Sequence, residues 1–270
     1  MKVAIVYYST YGHVLTLAKS IKEGLESSKE VSQVDLLQIP ETLSKEVLEQ
    51  LHAPEKPEYP LATAEKIAEY DALLFGYPTR FGNLPAQVIE FFGQTSGLWV
   101  SGGLYRKPVG VFTSVSSAGG GQEITMRNVF SYVAHHGMVF IPLGYGKAFA
   151  DITNLQEVHG GTPYGASTFA GANGSRKPSE LELRIAKTQG ETFASSAAKI
   201  VAASKSSSTD TSGPASTEKE ASASKEKEAV ESEESSEAPK TEKKTPQRVQ
   251  ESSKPAAKED SGCGVKCVIV

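Results

Sequence analysis

The chain has 270 residues, 39% of them hydrophobic, with 28 Lys and Arg against 32 Asp and Glu and a formal net charge of −4. So small a charge, without a basic stripe, gives nucleic-acid binding no electrostatic support, and no apolar run approaches the roughly eighteen residues of a membrane-spanning helix. Both cysteines, Cys263 and Cys267, fall in the last eight residues, which excludes a disulfide or thiolate site in the rest of the chain.

Val3-Ala4-Ile5-Val6 is a continuous apolar run suited to a strand covered on both faces, and predicts a strand over Lys2 to Tyr7. Ser9-Thr10-Tyr11-Gly12 then turns into an amphipathic helix over Val14 to Ser27. The unpaired N–H groups and positive dipole end of such a helix, beside hydroxyls and a glycine, suit a phosphate; an ordinary helix cap is the simpler alternative. A second strand is predicted over Val31 to Leu37. Short helices follow over Glu41 to Leu51 and Thr63 to Glu69, separated by the Pro-rich His52 to Pro60. Further along, the pattern predicts strands over Ala72 to Tyr77, Pro108 to Ser114 and Met138 to Leu143, and helices over Ala86 to Phe92, Gln122 to His135 and Ser179 to Ala202. Gly144 to Pro178 is a long glycine-rich connection, and such connections are more often functional than idle.

This alternation predicts βαβ units, a five-stranded parallel sheet and helices on both faces. The folded domain is expected over residues 1 to 202, with 17 basic against 19 acidic residues up to Ala203. From Ser204 to Asp260 the only β-branched apolar residues are Val230 and Val249, and Leu, Ile, Phe, Tyr, Trp and Met are missing. Residues 203 to 262 therefore read as a disordered Ser/Lys/Glu-rich linker.

Three loops follow strand carboxyl ends: Ser9 to Val14, Pro78 to Asn83 and Val115 to Gln122. Ligands of open α/β sheets bind at that edge, where strand order reverses. The loops are rich in small and hydroxyl residues, and one carries Arg80 and Phe81, which suits a phosphorylated aromatic ligand. No His, Asp, Glu or Cys cluster has metal-ligand spacing, and no Ser or Cys nucleophile motif is present.

Five ordered segments carry a resemblance: Tyr7-Tyr8-Ser9-Thr10-Tyr11-Gly12-His13, Pro78-Thr79-Arg80-Phe81-Gly82-Asn83, Gly119-Gly120-Gly121-Gln122-Glu123, Ala134-His135-His136-Gly137-Met138 and Gly160-Gly161-Thr162-Pro163-Tyr164-Gly165-Ala166. Up to about Gly190 the chain resembles the WrbA-type flavodoxin-like NAD(P)H:quinone oxidoreductases, and its tail resembles that of the fungal Ycp4-like branch. The resemblance implies a flavodoxin-like doubly wound α/β fold with strand order 2-1-3-4-5, bound FMN, NADH or NADPH as electron donor, two-electron quinone reduction with an antioxidant role, and a homodimer or homotetramer. Ordinary flavodoxins place a Thr where this chain has Val14, so phosphate binding must lean on Ser9, Thr10 and the helix start.

The resemblance implies a phosphate and ribityl cradle of Ser9, Thr10, Tyr11, Gly12, His13 and Val14. Pro78, Thr79, Arg80, Phe81 and Asn83 would run along the isoalloxazine ring, with Ser114, Val115, Ser116, Ser117, Ala118, Gly119 and Gly120 at its edge. Tyr11 and Trp99 are the implied substrate contacts, Trp99 in a pocket built by neighbouring subunits. Arg80 would favour the reduced cofactor, and His135 would polarise or protonate a ring or quinone oxygen. Each has a plainer reading: a solvated arginine, a packed tryptophan, a histidine satisfying helix carbonyls. His136 is expected to be structural.

Cys263-Gly264-Val265-Lys266-Cys267-Val268-Ile269-Val270 reads as a Cys-aliphatic-aliphatic-X motif with a second cysteine, so prenyl on Cys267, palmitoyl on Cys263, or both, would tether the chain. Without a signal peptide, the expected location is cytoplasmic, peripheral on the cytosolic face of a membrane. The alternatives are a membrane-tethered regulatory or scaffold protein with little turnover, and a one-electron flavodoxin carrier, since fold alone does not settle activity.

Overall fold

The computed structural model describes residues 1–207. The linker beyond that point and the lipidation residues Cys263 and Cys267 lie outside the described residues. In chain order the elements are β1 (Lys2–Tyr7), α1 (His13–Glu26), β2 (Gln33–Gln38), α2 (Lys45–Gln50), α3 (Ala64–Ala68), β3 (Ala72–Pro78), α4 (Ala86–Gly93), α5 (Ser96–Ser101), β4 (Pro108–Val115), α6 (Gln122–Arg127), α7 (Phe130–His135), β5 (Val139–Phe140), α8 (Phe149–Ile152), β6 (Ser167–Phe169) and α9 (Glu180–Ser207). All pairings are parallel, in the order β2-β1-β3-β4-β5 with β6 also beside β4.

Side chains of β1 alternate between two cores, as a strand covered on both faces requires. Val3, Ile5 and Tyr7 pack with α1 and α9. Ala4, Val6 and Tyr8 pack with Ile67 of α3, Val88 and Phe91 of α4, and Met126 and Val133 of α6 and α7. On the first face α1 and α9 meet through glycines. A Cβ on Gly24 would sit 2.0 Å from the Lys187 carbonyl oxygen, and one on Gly190 2.2 Å from that of Ile21.

The edge strand departs from expectation. The run Met138 to Leu143 pairs as a strand only at Val139 and Phe140, opposite Pro108 and Val109. Pro142 has no N–H to donate, and the chain leaves the sheet, returning as β6 opposite Thr113 to Val115. Gln189 bridges the gap: its Nε2 donates to the Val111 carbonyl and its Oε1 accepts from the Ala166 N–H, both at 2.8 Å. Gly165 passes so close to β4 that a Cβ would lie 1.9 Å from Val111 O. The expected helix Gln122 to His135 is two helices, broken at Asn128 and Val129. The last helix runs five residues past Ala202, into the expected linker.

Candidate functional site

Gly12 stands before α1 with φ +90°, and nothing lies within 4 Å of where its Cβ would be. That left-handed conformation favours glycine and turns the chain sharply from β1 into the helix. Its N–H donates to Ser9 Oγ at 3.1 Å, whereas no side chain caps α1. Beside this helix start is a small recess lined by Ser9, Thr10, Tyr11, His13, Val14, Pro78, Arg80 and Ser114.

Every part of that lining comes from a strand's carboxyl edge. Thr79 donates its N–H to the Ser114 carbonyl, which aligns the β3 and β4 ends. Arg80 spans from one loop to another, Nη1 donating to Thr79 O at 2.8 Å and Nη2 to Thr10 Oγ1 at 3.2 Å. Phe81 and Gly82 both have positive φ, 54° and 75°, in a tight turn closed by reciprocal Arg80 and Asn83 backbone bonds. Phe81 pays for that conformation without packing: its ring is 98% exposed. Thr79 faces inward, bonded to Thr125. Asn83 Oδ1 accepts from the Leu84 N–H.

A second, larger space of about 420 Å³ opens from the same residues. It shares Thr10, Tyr11 and Arg80 with the first cavity and continues between Leu43, Val47 and Leu51 on one side and Phe81, Pro85 and Ala86 on the other. Tyr11 forms the joint, its hydroxyl donating to Leu51 O at 3.0 Å. Tyr8 and Gln87 also line this cleft, and both donate to Glu41, as does Lys56 Nζ. Burial pushes the Tyr8 phenol up to about 12, so it stays protonated.

His13 is buried, with Nε2 2.9 Å from the Arg176 carbonyl oxygen. Burial lowers its pKa, leaving a neutral ring that donates to that carbonyl. Arg176 in turn reaches the fully buried carboxylate of Glu182, which also accepts from Gly160 N–H, Thr168 Oγ1, Phe169 N–H and Ser179 N–H. Burial raises the Glu182 carboxyl, but these donors outweigh it and hold the pKa low.

The remaining expected residues divide. Val115, Ser116, Ser117, Ala118, Gly119 and Gly120 lie at the same carboxyl edge beside β6, with Ala170 and Gly171 donating to Val115 O and Ser116 O. They border neither space. His135 lies elsewhere in the chain. It ends α7 just before the amino end of β5, where Gly137 O accepts from Arg106 N–H and Val139 N–H donates to Lys107 O. It is therefore one strand length, about 25 Å, from the cleft of its own chain, and its exposed ring bonds Ser131 O. Trp99 lies at the same edge: α5 is tied to it through Thr95 and His136, and Trp99 is 58% exposed, a position compatible with the expected contact to a neighbouring subunit's pocket. His136 is buried, its Nε2 3.1 Å from Thr95 Oγ1.

Sequence reasoning missed Leu43, Val47 and Leu51, and also Tyr8, Glu41 and Gln87. Of the first three only Val47 lies in α2, with Leu43 before its cap and Leu51 closing its end, so no helical spacing in the sequence marks them as one wall. Among the described residues there is no acidic or His/Cys group placed to hold a metal and no helix long and apolar enough to cross a membrane.

The sequence pattern of the NADPH-dependent FMN reductase family matches residues 1–148. The chain is 55% identical over 212 residues to the NAD(P)H quinone oxidoreductase YCP4 of Candida albicans, covering 78% of this chain and 73% of that protein. It is 55% identical over 192 residues to NAD(P)H quinone oxidoreductase PST3 of the same organism, covering 71% and 96%. To the quinone-oxidoreductase QR2 of Triphysaria versicolor it is 49% identical over 199 residues, covering 74% and 96%.

Proposed function

The chain belongs to the NADPH-dependent FMN reductase family, and from that premise we propose that it is an FMN-dependent NAD(P)H:quinone oxidoreductase. The residues present fit the cofactor. The first turn of α1 offers N–H groups that no side chain caps, Ser9 and Thr10 add hydroxyls, and among the described residues no acidic side chain lines the recess. The adjoining cleft gives a planar ring apolar walls.

When bound, FMN supplies the two-electron exchange between NADH or NADPH and a quinone. The balance is NAD(P)H plus a proton plus quinone, giving NAD(P)⁺ and hydroquinone. The helix start and its hydroxyls hold the phosphate. Among the described residues Arg80 is the lysine or arginine lining these spaces; held by Thr10 and Thr79, it would stabilise negative charge on a reduced cofactor bound there. Tyr11, Leu43, Val47 and Leu51 line one side of the approach with largely apolar surface. The nicotinamide and the quinone take turns in this cleft, a ping-pong order.

The observation that carries the reading is the continuity of the two spaces through Thr10, Tyr11 and Arg80. Its test is purification of the full chain with FMN. A yellow protein whose NADPH consumption depends on added benzoquinone supports the proposal; a chain that stays colourless at FMN saturation ends it.

Two finer elements belong to the same proposal. His135 and Trp99 can join a cleft only from a second copy of the chain, which favours a homodimer or homotetramer. Cys263 and Cys267 are proposed as lipidation sites that hold the enzyme at the cytosolic face of a membrane. A Cys263→Ser/Cys267→Ser double variant that remained in the membrane fraction would overturn the tether.

A further inference from the structure

Glu41 follows β2 and is not among the residues that line the cleft, yet it is bonded to two that are. Its carboxylate accepts from the Tyr8 hydroxyl and from Gln87 Nε2, each at 3.0 Å. It also accepts from Lys56 Nζ and from the Thr42 and Leu43 N–H groups. The residue after β1, the approach to α2, the Pro-rich segment and α4 thus meet on one carboxylate. Burial raises the Glu41 pKa, but Lys56, the Leu43 N–H and Tyr8 outweigh it and hold the group ionised. An ionised carboxylate accepts hydrogen bonds and donates none.

That fixes the direction of both bonds. Tyr8 gives its proton to Glu41. Gln87 must turn its Nε2 toward Glu41, and therefore its Oε1 away, an orientation that the amide alone does not select. No described residue donates to Gln87 Oε1, and the buried side-chain atom left without a partner among the described residues is His136 Nδ1. Gln87 Oε1 is therefore not sealed in the core but opens on the cleft that Gln87 lines. We propose that Glu41 is a positioning residue that sets the hydrogen-bond polarity of this wall: acting through Tyr8 and Gln87, it makes the wall present an acceptor, Gln87 Oε1, to an N–H or O–H donor of the bound ligand. This rests on the quinone reductase reading and adds to it a residue that touches neither ligand. In that reading two such donors visit the cleft, the carboxamide of the nicotinamide and the hydroxyls of the hydroquinone product.

The test uses the FMN-loaded full chain under argon and reads binding by calorimetry, with two pairs of probes that differ in the donor. Hydroquinone is paired with 1,4-dimethoxybenzene, which lacks the O–H groups. Oxidised NADP is paired with its 3-acetylpyridine analogue, in which a methyl replaces the carboxamide nitrogen. The proposal predicts that the donor-bearing member of at least one pair binds about fivefold tighter. Glu41→Gln should bring that ratio to within about twofold, because a neutral amide there can donate and frees the Gln87 amide to turn over. The ratio separates positioning from structure, since a variant that merely loosened the cleft would weaken both members of a pair alike. The pair that is discriminated identifies the source of the donor. Equal binding within both pairs by the wild type overturns the proposal, as does a ratio that survives Glu41→Gln. If Glu41→Gln does not hold FMN, Gln87→Met decides: it keeps the side-chain length and removes the amide, so a lost ratio supports the proposal and a retained one overturns it. A wild type that discriminates the probes but never oxidises NADPH with benzoquinone present counts against the reductase reading and leaves the role of Glu41 standing.

Discussion

The Tyr11 hydroxyl donates to the Leu51 carbonyl oxygen across 3.0 Å, joining the turn after β1 to the end of α2. One hydrogen bond thus fixes both the mouth of the phosphate-side cavity and the aliphatic wall of the cleft. Tyr11→Phe keeps the ring and deletes the bond, at a cost of about 1 kcal/mol. The expected outcome is a rise in quinone KM of about fivefold, with faster amide exchange confined to α2. Exchange unchanged in Lys45 to Gln50 would show that Tyr11 does not hold the helix.

Arg80 makes two directed bonds from one planar group, to Thr79 O and Thr10 Oγ1. Lysine keeps the charge but cannot reproduce the fork. Arg80→Lys is predicted to retain FMN and to lose about tenfold in kcat/KM, measured as quinone-dependent NADPH oxidation. Full activity in Arg80→Lys would reduce the role of Arg80 to charge alone.

Glu182 supplies the pH dependence of stability. Its carboxyl is pushed up by burial and pulled further down by Arg176, Ser179, Thr168 and Gly160, so the folded value lies below the unfolded one. A depressed carboxylate stabilises the fold fully above its unfolded pKa, and that contribution is lost as pH falls through the folded value. Thermal stability should therefore decline on acidification below the ordinary carboxylate range. Glu182→Gln should lower the neutral-pH stability by about 3 kcal/mol and flatten the acid limb. Because Arg176 O accepts from His13, weaker FMN binding in the same variant is also expected, read by fluorescence titration.

The α1 and α9 backbones approach too closely at Gly24 for any side chain. Gly24→Ala places its Cβ 2.0 Å from Lys187 O, backbone against backbone, and is predicted to destabilise by more than about 3 kcal/mol. Gly12→Ala meets no atom within 4 Å but must adopt φ +90°, a smaller cost of about 1 kcal/mol. The order of the two melting temperatures checks both.

The parts of the fold written in local pattern were readable in advance. The β-branched run Val3 to Val6 declared a two-faced strand, and the glycine and hydroxyls from Ser9 to Gly12 declared its turn. What failed depended on contacts distant in sequence. Nothing local to Met138 to Leu143 shows that β6, 24 residues beyond Leu143, will complete that edge. Only the Pro142 break and the Gln189 bridge make that legible. His135 and Trp99 were implied by the resemblance, which carries no distance: within one chain both lie at the amino edge of the sheet, while Ser9 and Arg80 lie at the carboxyl edge. The expected helix over Glu41 to Leu51 is realised only over Lys45–Gln50, and that Leu43, Val47 and Leu51 face a cleft rather than a core is a property of packing.

The central claim, that one cleft beside the Ser9 to Val14 turn serves nicotinamide and quinone in alternation, is tested most directly by initial velocities of the FMN-loaded chain over a grid of NADPH and benzoquinone concentrations. Shared occupancy predicts parallel double-reciprocal lines and one hydroquinone formed per NADPH consumed. Intersecting lines would contradict it, because both substrates would then have to be bound at once.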